Sequence, residues 1–170
     1  VYLMGGRWAS AETLTSRYVT TTGVDGANDC ANPAAPCATV SHAVANAADN
    51  DTIYVGAGPF VDTLIIDKPL TIAGAGTAVT ELKAVANQRY AHIDLTSGVR
   101  FDNATIAGSG DTGNSGGLLY IDNADVTLQN MVLKEGFGTR GGAIYVTNNS
   151  TLTASDLSLI HISEPTRHES

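Results

Sequence analysis

The stretch Gly116–Gly136, GGLLYIDNADVTLQNMVLKEG, returns in altered form as GGAIYVTNNSTLTASDLSL from Gly141. The two Gly-Gly pairs start 25 residues apart. Behind each pair comes an alternating apolar run, a short polar turn and a second alternating run. Strict alternation over three to five residues buries one face of a strand and leaves the other to water. A unit of this size cannot bury its apolar face alone, so copies must stack into a solenoid.

Working outward, AHIDL at 91–95, LLYID at 118–122 and AIYVT at 143–147 form one set of equivalent strands. This alignment puts Ile93/Leu95, Leu119/Ile121 and Ile144/Val146 inward, and His92, Asp94, Tyr120 and Tyr145 outward. A second set, VRF at 99–101, VTL at 126–128 and LTA at 152–154, buries Val99/Phe101, Val126/Leu128 and Leu152/Ala154. Asn103, Asn130 and Asp156 follow that set at near-constant spacing, where the chain must turn. Asparagine tolerates the left-handed backbone conformation, so Asn103 and Asn130 are read as a turn ladder. Asn103-Ala-Thr and Asn149-Ser-Thr also fit glycosylation sequons. An earlier, less regular coil contains TIYV, TLIID and LTIAG. No 3.6-residue periodicity survives beyond residue 49, which excludes the helical repeat classes.

The one helix predicted lies over 39–48. Val40, Val44 and Ala47 share a face, and Thr39 caps the first turn. A short β-branched run at 18–21 precedes a turn-rich loop containing Cys30 and Cys37, seven residues apart. The pair is read as a disulfide stiffened by Pro33 and Pro36, against the alternatives of unlinked thiols or a metal site for which His42 alone is a poor third ligand. A disulfide implies an oxidising compartment and hence an extracellular or cell-surface protein.

Composition excludes several function classes. The net charge is −8 with nine Lys plus Arg, so no basic stripe exists to bind nucleic acid or anionic lipid. No apolar run reaches the length of a transmembrane segment.

The stretch from Tyr18 to Phe60, YVTTTGVDGANDCANPAAPCATVSHAVANAADNDTIYVGAGPF, resembles the start of secreted right-handed parallel β-helix (pectin-lyase-like) proteins. The GGAIYV unit is similar to coils of bacterial adhesins, autotransporter passengers and polymorphic outer-membrane proteins. The resemblance implies an all-β, right-handed parallel β-helix with one short capping helix, here its N-terminal part. The resemblance covers 18–156, as an N-terminal cap (18–51) and β-helix coils (52–156); before it the residues themselves suggest a leader or signal-peptide remnant (1–17, with Ala9-Ser10-Ala11 as a cleavage-like site), and after it comes a tail (157–170). LSLIHISEPTR at 157–167 resembles the conceptual translation of a sequencing adapter. On that reading the natural sequence stops near Asp156, further coils are missing, and residues from His161 onward protrude.

The scaffold serves lyases, hydrolases and adhesins alike. A binding, adhesive or structural role is the first reading; a polysaccharide lyase or glycoside hydrolase with its active coils further along is the alternative. Tyr120 and Tyr145, with Asp94 beside them, are the candidate ligand-binding strip for carbohydrate or a cell-surface ligand, against mutual stacking that only stabilises the sheet. Hydrolysis would need a carboxylate pair, for which Asp94, Asp122 and Asp125 are the candidates. A lyase would need a base such as Lys134 or Arg140 beside a carboxylate such as Asp102. No catalytic motif and no metal set stands out, and no cofactor is expected. Asp25, Asn28 and Asp29 offer oxygen ligands for Ca²⁺ without an EF-hand spacing. The loop 108–117 is a candidate recognition loop against a solvated linker.

Overall fold

The computed structural model describes residues 15–108 and 115–163. The expected leader with its Ala9-Ser10-Ala11 site, most of the candidate recognition loop, and the tail beyond Ser163 lie outside the described residues.

The chain winds through about four turns of a parallel β-solenoid. Each coil has three arms. The first arms are β1 (Ser16–Val19), β2 (Thr52–Val55), β5 (Thr71–Gly74) and the leading halves of β8 (Ser97–Ala107), β10 (Asp125–Lys134) and β12 (Thr151–Ile160). The second arms are β3 (Gly58–Asp62), β6 (Thr80–Ala84) and the trailing halves of β8, β10 and β12. The third arms are β4 (Leu64–Ile66), β7 (Ala91–Asp94), β9 (Leu119–Asp122) and β11 (Ile144–Thr147). All pairings between these strands are parallel and join one coil to the next.

The Asn corner explains how one long strand serves two arms. In β10, Val126 and Leu128 are buried, then Asn130 is exposed, then Met131 and Leu133 are buried. The left-handed residue at Asn130 (φ 54°) consumes one position and resets the alternation, so both arms face inward. Asn103 (φ 57°) and Asp156 (φ 52°) do the same in the neighbouring coils. The Asn103 amide also donates to the Gly74 carbonyl one coil below, 3.3 Å away.

The Gly-Gly pairs divide two tasks. Gly116 (φ 71°) and Gly141 (φ 59°) occupy the left-handed region, which glycine enters without steric penalty. Gly117 instead permits close approach: a Cβ there would sit 2.2 Å from the Gly142 carbonyl oxygen. The repeat therefore marks the place where backbones of successive coils touch directly.

At the start of the solenoid α1 (Val40–Asn46) buries Val40, Ala43 and Val44 against β1 to β4. It is shorter than the expected 39–48: Thr39 is the cap, accepting from the His42 amide, and the helix closes at Ala47. Lys68 donates to the Ala47 carbonyl at 3.2 Å and so satisfies a helix-end acceptor. Cys30 and Cys37 are joined by a disulfide and fully buried. Ser16 and Arg17, read from sequence as leader, belong to β1, and the strand ends at Val19 instead of Thr21. Arg17 pairs with the buried Asp51 carboxylate at 3.1 Å.

Several expectations for the core need correcting. The structure pairs Ala91 with Leu119 and Ile93 with Ile121. Ile93, Leu119 and Ile121 are buried. Leu95 is not: it falls on the turn after β7 with φ 54° and is 72% exposed. Ile144 and Leu152 are only half-buried, Ala154 is exposed, and Val146 is 39% exposed. These four lie in the last described coil, where no further layer covers the inward face. The tail follows expectation in part: Leu157 and Leu159 fit the alternation opposite Met131 and Leu133, as the sequence allows, but residues 161–163 stay in contact with the fold where protrusion is expected. Residues 157–160 pair with Met131–Lys134, and beyond them Ser163 donates to the Gly136 carbonyl while Ile162 packs on the core. Backbone pairing demands little of side chains, and Gly142 leaves space for the incoming segment, since a Cβ there would sit 2.6 Å from the Ser163 carbonyl oxygen. The second arm at Thr80–Ala84 was missed because Glu81 and Lys83 disguise the inward set Thr80, Leu82 and Ala84.

Candidate functional site

The outer face of the third arm carries the aromatic strip. His92, Tyr120 and Tyr145 stand on one rung line, because β7, β9 and β11 pair in register. The Tyr120 and Tyr145 rings stack with centroids 5.7 Å apart, and His92 meets Tyr120 edge-on at 4.9 Å. The Arg89 guanidinium lies 4.6 Å from the Tyr120 ring centre. Tyr120 is thus flanked by Tyr145 from one coil and by His92 from the other. Tyr145, in the last described coil, has Tyr120 as its one ring neighbour among the described residues. Ring contacts of this kind add cross-strand stability to the sheet.

Asp94 and Asp122 occupy neighbouring positions on the next outward rung line, and Thr147 continues it. The Asp122 carboxylate accepts from the Asn148 amide at 2.7 Å. Asp125, the third candidate acid, sits on the first arm, where it pairs with Ser97 and Thr151. The candidate lyase set is likewise divided. Lys134 pairs with Glu81 at 3.1 Å on the second arm. Asp102 pairs with Arg100 at 3.0 Å on the first arm, and Arg100 also donates to Gln129. Arg140 lies in the loop before β11, exposed. The structure therefore does not bring Lys134 and Asp102 together.

The oxygen-rich loop turns its polar atoms toward its own backbone. Asp25 accepts from the amides of Ala38 and Thr39 and from the Thr39 hydroxyl. Burial by itself raises the Asp25 pKa, but these hydrogen bonds, with His42 nearby, outweigh it and hold the carboxyl below its ordinary value. The Asn28 side chain donates to the Val24, Ala35 and Pro36 carbonyls, so its amide nitrogen faces the loop. Asp29 accepts from the Ala31 amide. These contacts brace the cap rather than gather oxygens round one point. The Cys30 and Cys37 sulfurs lie near His42, but they are bonded to each other and so are not thiolate ligands.

Two features escaped the sequence reading. One is a cavity of about 420 Å³ beside the Glu81–Lys134 pair, walled by Pro59, Val79 and Thr105. The other is a groove of about 250 Å³ at the cap end, where Tyr18 and Tyr54 form a wall over small residues. The signal for the second was present: Tyr18 and Tyr54 stand at equivalent places in β1 and β2. Recognising the equivalence requires knowing that these two strands pair across the Cys loop and α1.

No protein-family model, no curated protein sequence and no solved structure gives a significant match to this chain.

Proposed function

We propose that this chain is the N-terminal part of an exported bacterial β-helix repeat protein whose role is binding, adhesive or structural at the cell surface. The observation that carries this reading is the difference between the two ends of the solenoid. At the start, α1 and the disulfide loop close the core; in the last described coil the inward-facing Val146 and Leu159 remain exposed. An apolar end of this kind is what a further coil would cover.

The binding or structural role is supported by how the outward charges are used. Lys134 with Glu81, Arg100 with Asp102, and Asp122 with Asn148 are each engaged locally. A general base needs a reachable substrate proton and a partner that stabilises the developing charge. These pairs stand on different arms and do not converge. The buried disulfide supports folding in an oxidising compartment.

The test incubates the full chain with polygalacturonate, alginate and neutral β-glucans, following both ultraviolet absorbance of unsaturated products and reducing ends. The expected result is no cleavage, together with retention of the chain on immobilised glycans or on intact cells. Turnover of any of these polymers that is lost on Lys134→Ala or Asp102→Asn would overturn the reading in favour of an enzyme.

A further inference from the structure

We propose that Asn149 is the acceptor for an N-linked glycan, carried on a corner of the solenoid that is one residue longer than its counterparts. Of the proposed function the site needs only the exported location, whatever the protein binds. The sequence holds two Asn-x-Thr triplets, Asn103-Ala104-Thr105 and Asn149-Ser150-Thr151. The fold treats them in opposite ways.

The first triplet is consumed by the scaffold. The Asn103 amide donates to the Gly74 carbonyl at 3.3 Å, and the Thr105 hydroxyl donates to the Thr77 carbonyl at 2.7 Å. Ala104 and Thr105 are buried. A sugar on the Asn103 nitrogen would be wedged against the coil below, and the hydroxyl that completes the triplet is out of reach.

The second triplet lies on the corner between the third and first arms. Thr147 pairs with Asp122, and Thr151 pairs with Asp125. Residues 148–150 therefore span a corner that Asn123 and Ala124 span one coil below, and Leu95 and Thr96 two coils below. Asn148 (φ 46°) and Asn149 (φ 55°) both enter the left-handed region to accommodate the extra residue, as asparagine can. The residues on either side of Asn149 are tied down. The Asn148 amide donates to the Asp122 carboxylate at 2.7 Å, and the Ser150 hydroxyl accepts from the Ala124 amide at 3.1 Å. Asn149 itself is exposed, and its side chain makes no hydrogen bond among the described residues. Thr151 is exposed as well. The acceptor nitrogen and the hydroxyl that completes the triplet are thus both open to an enzyme.

Stacking does not close this corner. Asn123 is exposed although a full coil lies above it. Beside Asn149 is a hollow of about 270 Å³ lined by Thr96, Ser97, Asn123 and Asp125, a polar surface suited to the hydroxyls of a first sugar ring. In the transfer, Asn149 Nδ2 forms a bond to the anomeric carbon of a sugar carried on a nucleotide or lipid diphosphate. The bond from that carbon to the phosphate oxygen breaks, the carrier diphosphate leaves with the electron pair, and the amide proton passes to a base of the transferase.

The experiment incubates the full, disulfide-intact chain with UDP-glucose and a soluble asparagine glucosyltransferase that reads Asn-x-Ser/Thr. A proteolytic digest of the same chain is treated in parallel. Peptide mass spectrometry should find hexose on Asn149 and none on Asn103 in the folded chain, but hexose on both in the digest. Asn149→Asp keeps the tolerance for left-handed backbone but lacks the acceptor nitrogen, and it should lose the Asn149 hexose. Thr151→Ala should lose it too, while Thr151→Ser keeps it; circular dichroism verifies that each variant folds. A folded chain with no hexose on Asn149, or with as much on Asn103 as on Asn149, would overturn the site. Either result leaves the proposed binding role standing, because that role is decided by retention on glycans or cells and by polymer cleavage.

Discussion

Arg17 Nε lies 3.1 Å from Asp51 Oδ2, and both side chains are buried at the junction of β1 with β2. Asp51 also accepts from the amides of Thr15 and Ala48, and Arg17 donates to the Asp29 carbonyl at 2.7 Å. One ion pair thus ties the first strand, the disulfide loop and the helix exit together. Removing one partner strands the other charge away from water, so Arg17→Ala should destabilise the chain by about 3–5 kcal/mol. A chemical denaturation midpoint unchanged in Arg17→Ala would show that the pair does not organise the cap.

The same carboxylate predicts an acid limb. Burial tends to raise its pKa, but the Ala48 and Thr15 amides and Arg17 outweigh this and hold it below the ordinary value of 3.8. The unfolded chain then binds the proton more readily, so Asp51 contributes stability above its unfolded pKa that is lost as pH falls through the lower folded value. Thermal unfolding followed from pH 7 downward should show a loss beginning near pH ~4. Asp51→Asn should be less stable at neutral pH and flatter in acid, keeping only the share due to groups such as Asp25. An acid limb identical in the variant would assign the effect elsewhere.

Gly117→Ala tests the contact between coils. Its Cβ would meet the backbone oxygens of Gly142 and Phe137 at 2.2 and 2.4 Å, and backbone cannot swing aside as a side chain can. A loss above about 2 kcal/mol is expected, in the range reserved for overpacking and strain. A neutral result in urea unfolding would mean that the coils separate more easily than the structure indicates.

Leu95→Asn should stabilise. Leu95 (φ 54°) occupies the turn that Asn123 (φ 48°) and Asn148 (φ 46°) occupy in the following coils. A left-handed leucine costs about 1–2 kcal/mol, which asparagine largely avoids, and the exposed side chain has no burial to lose. A rise in melting temperature is the expected outcome; a fall would show that Leu95 makes apolar contacts that outweigh its backbone strain.

The open last coil predicts concentration-dependent association. Among the described residues β12 is paired on one edge, with β10, and Leu159 is 57% exposed beside Ile160. Unpaired edges pair with other chains, and charge on them blocks pairing. Leu159→Lys with Ile160→Lys should therefore lower the apparent mass in light scattering at high concentration. Equal mass in both proteins would indicate that the edge is already protected.

The sequence by itself determined the architecture: alternation within short runs and their recurrence leave a stacked solenoid as the means of burying every apolar face. It also marked the corners at Asn103 and Asn130, because few residues enter the left-handed region, and it located Cys30, Cys37 and the capping helix by local pattern. Register was beyond it. A shift of two keeps every side chain on its face, so alternation cannot distinguish Ile93 opposite Leu119 from Ile93 opposite Ile121, and Leu95 passed for core. Burial at Ile144 and Val146 depends on a neighbouring coil, which a residue's own pattern does not report. The outer face was the least legible part. Whether a tyrosine ring is spent on its neighbours, like Tyr120, or left facing a bare rung, like Tyr54 beside Ala73, is decided by residues far apart in sequence. Only the stacking of coils brings them within ~4.8 Å of one another.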